Sequence, residues 1–238
     1  MIATMIVLLI AVTMAGWAYL ASLALQGGQS SVDVALAALD EGRFEEARSL
    51  VTDMLQSGSL PKHEYGDPLL VLGAVKNHDA EQQATTEKRC IEYLVAARYL
   101  NEARAYGWPP QRETQGILLL GKSLLESNQF EEGIEVLDEL LATYPPSDHP
   151  ATWEAHRLLA ETCLVMPQPD LKKSLTQCDA YLSSPLLTPG QREAALVLRT
   201  KCLARQSHFE EAQRTLASIP ADSSLRALVL LTSAQLPF

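Results

Sequence analysis

The segment Ser127-Asn-Gln-Phe-Glu-Glu-Gly133 recurs along the chain, with close copies at 41–47 and at 206–212. Each copy carries an aromatic residue, two glutamates and then Ala or Gly. The aromatic and the small residue are three positions apart, which places them on one face of a helix. The glutamates fall in the first turn of that helix, where the helix dipole favours negative charge. The three copies therefore predict the starts of three equivalent helices.

Two weaker copies of this pattern fill the gaps, at Tyr93 with Ala96 and at Leu171 with Ser174. The five anchor positions are 44, 93, 130, 171 and 209, so consecutive anchors lie 49, 37, 41 and 38 residues apart. Self-similarity at such a spacing is typical of stacked structural repeats, in which neighbouring units share a core. No window alternates apolar and polar residues as a half-buried strand would, so we expect no β-sheet.

The most regular copy, residues 114–146, resembles the tetratricopeptide repeat (TPR), a helix–turn–helix unit of about 34 residues. It has the Leu-Gly pair of the first TPR helix, the aromatic and small residues of the second, and the final proline. The matching residues are Leu120, Gly121, Phe130, Gly133 and Pro145. The small residues let the two helices of one unit approach closely, and the ring fills the space between units.

Two less regular copies carry the pair as Leu72-Gly73 and as Leu159-Ala160. The resemblance covers residues 31–220. It implies an all-α fold, a TPR-like α-solenoid of about five helix pairs, with residues 221–238 as a C-terminal capping helix. Helix signals agree with this assignment: Thr188-Pro189-Gly190-Gln191 predicts a capping box. Asp79-Ala-Glu-Gln82 predicts the start of a long second helix over 79–105.

The first 25 residues carry no charged side chain and are apolar on every face. About 20 apolar residues in a helix span the hydrocarbon layer of a bilayer. Residues 1–25 therefore predict a transmembrane signal-anchor, followed by a linker over 26–31. The absence of flanking basic residues favours an extracytoplasmic (periplasmic or lumenal) body on a single-pass membrane protein. The alternative is a signal peptide cleaved near Ala24, which gives a secreted protein.

The composition limits the function classes. The chain has 29 acidic and 19 basic residues among 238, a formal net charge of −10 and a pI near 5.0. A nucleic-acid-binding protein needs a basic face that neutralises phosphates, so no nucleic-acid partner is expected. The histidines are scattered and no Cys-x-x-Cys occurs, so no metal, cofactor or catalytic residue is predicted.

One stretch favours an enzyme instead. Residues Gly116 to Ser123 satisfy the phosphate-loop pattern G-x-x-x-x-G-K-[ST], which would make the chain a nucleotide-binding hydrolase. That motif needs a strand before it and a solvated loop within it. Four apolar residues, 117–120, stand where the loop should be, and Leu120-Gly121 already belongs to the repeat. We therefore keep the hydrolase as the alternative from a different class.

The four cysteines leave two interpretations open. Cys163 and Cys178 fall on the two helices of one predicted unit, at positions that face its interior. Buried free thiols are the first interpretation. A disulfide between Cys163 and Cys178 is the second, in an oxidising compartment.

The resemblance to TPR proteins also implies a binding surface. In TPR arrays the first helices line a concave groove that holds a partner peptide or helix. The partner-binding residues that this implies are Lys122, Leu125, Arg157, Glu161, Lys201 and Arg205. We predict a membrane-tethered, non-catalytic scaffold that binds a protein or peptide partner in this groove. The rival within the binding class is a self-assembling homo-oligomer that uses the apolar tail 225–231.

Overall fold

The fold is taken from a computed structural model of the chain. The structure describes residues 31–58, 60–109, 111–144, 150–221, 223 and 225–234. Within these ranges the chain forms eleven α-helices and one short 3-10 turn, and it has no strand. The expectation of an all-α fold without a sheet is therefore confirmed for this part of the chain.

The helices alternate along the chain between a first and a second member of a pair. Their bounds are α1 Ser31–Asp40, α2 Phe44–Ser57, α3 Gly66–Glu81, α4 Thr86–Tyr106, α5 Glu113–Glu126, α6 Phe130–Thr143, α7 Pro150–Val165, α8 Leu171–Leu182, α9 Pro189–Arg205, α10 Phe209–Ala217 and α11 Arg226–Ala234. The 3-10 turn, Lys62–Glu64, precedes α3. Five pairs, α1/α2 to α9/α10, are followed by α11, which agrees with a solenoid of about five pairs.

The packing between pairs follows one rule along the chain. Each first helix contacts its own second helix and the first helix of the next pair, and each second helix contacts the next first helix. The described second helices do not pack backbone to backbone, but long side chains link them: Arg104 of α4 pairs with Glu139 of α6, and Lys173 of α8 pairs with Asp138 of α6. One face of the stack is therefore built from first helices alone.

The three regular copies of the motif form the same turn. Helices α2, α6 and α10 begin at Phe44, Phe130 and Phe209, the anchor residues themselves. Two residues before each anchor the backbone is left-handed, with φ of 73° at Gly42, 64° at Asn128 and 65° at Ser207. The next backbone N–H then bonds back to a carbonyl in the last turn of the preceding helix, over 2.8–2.9 Å. This closure satisfies carbonyl groups that a helix end leaves unpaired, so the turn recurs with the motif.

The three rings have different surroundings. Phe44 stacks on His78 of α3, with ring centroids 3.7 Å apart and an interplanar angle of 11°. Phe130 is half-buried against the central core. Phe209 is 36 % exposed. The predicted aromatic wedge is therefore partly buried at the first two turns and opens toward solvent at the third.

Two predicted helix starts have different outcomes. The capping box at Thr188 is present: its side chain accepts the Gln191 N–H, and the Gln191 side chain accepts the Thr188 N–H. The predicted start of the long second helix at Asp79 is wrong, because α3 continues to Glu81 and α4 begins at Thr86. Thr85 is the N-cap of α4 and accepts the Lys88 N–H. A threonine at this position satisfies an N–H that the helix cannot, so it sets the boundary.

The predicted single-pass membrane location is corrected by the described helices. Among residues 31–234, the gaps aside, no helix combines the length and the apolarity needed to cross a bilayer. The longest of them, α4, has 21 residues but seven charged side chains. The predicted span 1–25, residues 26–30 of the linker and the cleavage alternative at Ala24 lie outside the described residues, whereas Ser31, the last predicted linker residue, is the first residue of α1.

The cysteines are unpaired. Cys163, Cys178 and Cys202 are buried free thiols, and Cys90 is a half-buried free thiol. Burial raises the pKa of Cys163 to about 11 and that of Cys178 to about 12, and it also raises the pKa of Cys202. The first interpretation, buried free thiols, thus describes Cys163 and Cys178.

Candidate binding groove between the first helices

The six residues predicted for the groove all lie on first helices. Lys122 and Leu125 lie on α5, Arg157 and Glu161 on α7, and Lys201 and Arg205 on α9. Because successive first helices contact each other, these helices form one continuous face. The six side chains differ in exposure and in partners, however, and they do not form a single site.

Leu125 belongs to the core. It is 5 % exposed, and its Cδ2 would lie 2.6 Å from a Cβ built on Gly133 of α6. It therefore fills the space within its own helix pair, where the glycine gives it room.

Two of the four predicted cations are neutralised by carboxylates of the chain. Lys122 forms an ion pair with Glu81 of α3. Arg157 pairs with Glu154 at 2.5 Å and with Glu161 at 2.6 Å, one turn to each side on the same helix. The hydrogen bond to Glu154 is the main cause that holds the pKa of Arg157 above its usual value. Neither cation is left to attract an acidic partner strongly.

The other two cations have no carboxylate partner in the described part of the chain. Lys201 and Arg205 are one turn apart on α9, and neither forms an ion pair there. The Arg205 guanidinium donates a hydrogen bond to the backbone carbonyl of Leu164, near the end of α7. A cation at this place complements the negative end of the α7 dipole and keeps most of its donors for another group.

Lys201 and Arg205 line a cavity of about 460 Å³. Its remaining walls come from the ends of α7 and α9, from the start of α10 and from α11. The lining residues are Leu164, Val165, Lys201, Ala204, Arg205, Phe209 and Thr232. Val165 is 71 % exposed, and Phe209 is the ring that opens toward solvent. We call this cavity the basic pocket.

A second cavity, of about 330 Å³, lies further toward the N-terminal ends of the same two first helices. Its lining residues are Glu154, Arg157, Glu161, Tyr181, Gln191, Ala194, Ala195 and Leu198. Two glutamates face one arginine, so a negative charge remains. Burial raises the pKa of Tyr181, which keeps its phenol neutral. We call this cavity the acidic pocket; the two pockets are successive parts of one groove between α7 and α9.

The phosphate-loop pattern does not form a loop. Gly116 to Ser123 lie inside α5, so the backbone N–H groups are engaged in the helix. A Cβ on Gly116 would lie 2.6 Å from the Trp108 ring, and the Ser123 hydroxyl donates to the Leu119 carbonyl. These residues serve packing, and no phosphate cradle is present in this segment. No group of three or more His, Cys, Asp or Glu side chains suited to a metal occurs in the described ranges.

Glu154, Val165 and Phe209 are among the pocket residues that the sequence did not predict. Glu154 stands three positions before Arg157 on a predicted helix, a spacing that already indicates an ion pair. Val165 is the last residue of α7, and the exposure of an apolar residue at a helix end has no sequence signal. Phe209 is predicted as a buried wedge because residues 209–212 repeat the Phe-Glu-Glu-Ala of 44–47.

No family model matches the sequence, and no curated protein matches it. Solved structures do match its fold. One is a crystal structure of nearly identical TPR-like repeats from a Podosopora anserina protein described as a kinesin light chain. It is 14 % identical, has a TM-score of 0.55, and the match covers 87 % of this chain and 96 % of that one. A crystal structure of a point variant of that same protein is 16 % identical, with the same TM-score and the same coverage. The likeness supports a TPR-like fold for this chain.

Proposed function

We propose that this chain is a non-catalytic protein-binding scaffold whose basic pocket binds an acidic and apolar segment of a partner protein. A TPR-like repeat fold is commonly one that binds proteins, and its structural neighbours carry TPR-like repeats. The location of the partner site is the more specific part of the proposal, and it depends on the residues of the basic pocket.

The observation that carries it is the contrast among the four predicted cations. Lys122 and Arg157 are paired with glutamates, whereas Lys201 and Arg205 have no described carboxylate partner. Two such cations one turn apart form a local positive patch on a chain with a net charge of −10. A carboxylate that bonds to them gains charge-assisted hydrogen bonds, which are stronger than neutral ones.

The apolar walls of the basic pocket add a second requirement that the partner segment must meet. Val165 and Phe209 expose apolar surface beside the two cations. Exposed apolar patches with a polar rim mark interaction sites in soluble proteins. A partner that covers them places an apolar side chain next to its carboxylate.

Selection from a random 12-residue peptide library on the full chain tests this proposal. We expect enrichment of sequences with Asp or Glu beside a large apolar residue. The double variant Lys201→Glu/Arg205→Glu should lose that enrichment. Lys201→Glu alone should also weaken it, and this variant breaks no described intramolecular bond, so the fold is not at risk.

The matched control is Lys88→Glu/Lys172→Glu, which changes the net charge equally at two exposed lysines on second helices. It should retain the wild-type peptides. The proposal fails if the pocket variant enriches the same peptides as wild type, or if wild type enriches none.

Self-assembly remains the second candidate, because Leu231 of α11 is 58 % exposed while Val229 packs into the C-terminal core. It predicts a species whose size grows with concentration and which Leu231→Glu abolishes. Sedimentation of the full chain across a hundredfold concentration range measures this. A single monomeric species throughout excludes it.

A further inference from the structure

We infer that the groove between α7 and α9 selects a bipolar peptide, with a basic side chain in the acidic pocket and an acidic side chain in the basic pocket. This inference rests on the proposed function, since it shares the basic pocket, and it adds a second subsite and an order. The two pockets differ in charge along α7 and α9, and this difference sets the expected ligand.

The acidic pocket has one carboxylate more than it has cations. Among its described lining residues Arg157 is the sole cation, and Glu154 and Glu161 both contact that guanidinium. Both glutamate side chains stay reachable, since the Glu161 side chain is 48 % exposed and that of Glu154 is 38 % exposed. Loss of the Glu161 contact would leave Arg157 bonded to Glu154. An incoming Lys or Arg side chain therefore binds to Glu161 without leaving a charge unpaired.

The distance between the pockets fixes the spacing in the ligand. Arg157 lines the acidic pocket and Val165 lines the basic pocket, eight residues further along α7. At about 1.5 Å per residue, the pocket centres lie about 12 Å apart. An extended peptide rises about 3.3 Å per residue, so its two charged side chains are about four residues apart.

The alternation of an extended chain adds the middle position. Residues i, i+2 and i+4 of an extended peptide point to the same side. With i and i+4 in the two pockets, residue i+2 lies over the boundary between them, beside Leu198, the α9 residue of the acidic pocket that is nearest in sequence to Lys201. The ligand class is therefore basic-x-apolar-x-acidic, read along the groove from the acidic to the basic pocket.

A double-mutant cycle between protein and peptide tests the order of charges. The probe is the synthetic peptide Lys-Ala-Leu-Ala-Glu with neutral Gly-Ser flanks and a fluorophore, together with two versions in which either its Lys or its Glu is replaced by Gln. Each is titrated by anisotropy at low salt against the full chain, Glu161→Gln and Lys201→Gln. We expect Glu161→Gln to weaken the parent peptide about 2- to 5-fold, the range of an exposed ion pair.

The same substitution should not weaken the peptide that lacks Lys. Lys201→Gln should weaken binding of the parent peptide and should not weaken binding of the peptide that lacks Glu. Glu102→Gln is the matched control, because Glu102 also pairs with an arginine four residues away and its side chain is also 48 % exposed. It should change none of the affinities.

The outcomes separate this inference from the proposed function. If Lys201→Gln couples to the peptide's Glu but Glu161→Gln couples to nothing, the second subsite is overturned and the basic pocket stands. If the parent peptide does not bind although library peptides need Lys201 and Arg205, the bipolar class is overturned. If neither probe nor library depends on Lys201 and Arg205, both proposals fail.

Discussion

Gly121 of α5 faces Leu137 of α6 so closely that a Cβ built on Gly121 would lie 2.6 Å from the Leu137 Cγ. Gly73 of α3 stands in the same relation to Leu100 of α4, at 2.5 Å from its Cγ. Both leucines are fully buried. The Leu-Gly pair of the repeat thus sets the separation of the two helices within a unit.

The variant Gly121→Ala tests this closeness. The methyl group forces Leu137 to move, so we expect a loss of about 1–3 kcal/mol in the free energy of unfolding, as for overpacked cores. Urea unfolding followed by circular dichroism measures it. The control is Gly190→Ala, because no atom lies within 4 Å of its added Cβ. That variant should gain up to about 1 kcal/mol from helix propensity. Equal effects of the two variants would contradict the packing argument.

A buried hydrogen bond links neighbouring pairs. The Asn77 side-chain amide of α3 donates to the Ser123 hydroxyl of α5 over 2.8 Å, and both residues are buried. In Ser123→Ala the amide loses this acceptor, so stability should fall by about 1–3 kcal/mol. Ser127→Ala is the control: its hydroxyl also accepts from an amide, but the residue is half-buried and water can replace it. A loss in Ser127→Ala as large as in Ser123→Ala would show that burial is not the cause.

The thiols should differ in reactivity. Cys90 is half-buried, whereas the other three are buried with a raised pKa. The thiolate is the reactive form, so a thiol reagent at pH 8 should titrate one cysteine in the native chain and four in denaturant. Rapid reaction of two or more thiols in the native chain would contradict the buried placement.

These same thiols make stability depend on alkaline pH. A thiol whose pKa is higher in the folded chain favours folding below the unfolded pKa, about 8.5, and that contribution is lost as pH rises toward the folded pKa. Between about pH 8.5 and the folded pKa of Cys178, about 12, stability should fall. In Cys178→Ala the fall should be shallower, which unfolding midpoints from pH 7 to pH 10 would measure. If the unfolding midpoint falls with pH equally steeply in wild type and in Cys178→Ala, the Cys178 thiol is not the cause.

The turn before α10 holds a strained residue. Ser207 has a φ of 65°, at the position where the first turn has Gly42. The left-handed conformation costs a non-glycine residue about 1–2 kcal/mol. Ser207→Gly removes that cost but increases the entropy of the unfolded chain, so we expect a net gain of up to about 1 kcal/mol. Ser183→Gly, at a right-handed position with a φ of −74°, should destabilise instead. Thermal unfolding of both variants shows whether stability rises in Ser207→Gly and falls in Ser183→Gly.

The repeat could be predicted from the sequence because its determinants are local. An aromatic residue, two glutamates and a small residue specify a helix start, and the structure begins α2, α6 and α10 at those aromatics. The start of α4 was missed because Asp79 and Thr85 are both acceptable caps, and only the packing of α3 through Glu81 decides between them.

The candidate site was harder to predict than the fold. Its residues lie on the predicted helices, but their charges are set by partners far along the chain. Lys122 is neutralised by Glu81, 41 residues away, a pairing that no local pattern indicates. Leu125 has the spacing of a groove residue, and only the closeness of Gly133 shows that it turns inward.

The buried apolar residues form separate clusters, and this has a consequence for the order in which the chain opens. One cluster joins α1 to α3, a second spans α3 to α7, and a third, with Val197 and Leu203, joins α9 to α11. We expect each cluster to open as a local cooperative unit, and we expect amide protons at the two ends of the array, where a unit has a neighbour on one side only, to exchange with deuterium sooner than those at its centre. The basic pocket is built partly on the last of these units. A ligand bound there would slow exchange first in α9 to α11, so the pocket's occupancy could be measured without knowledge of the ligand's identity.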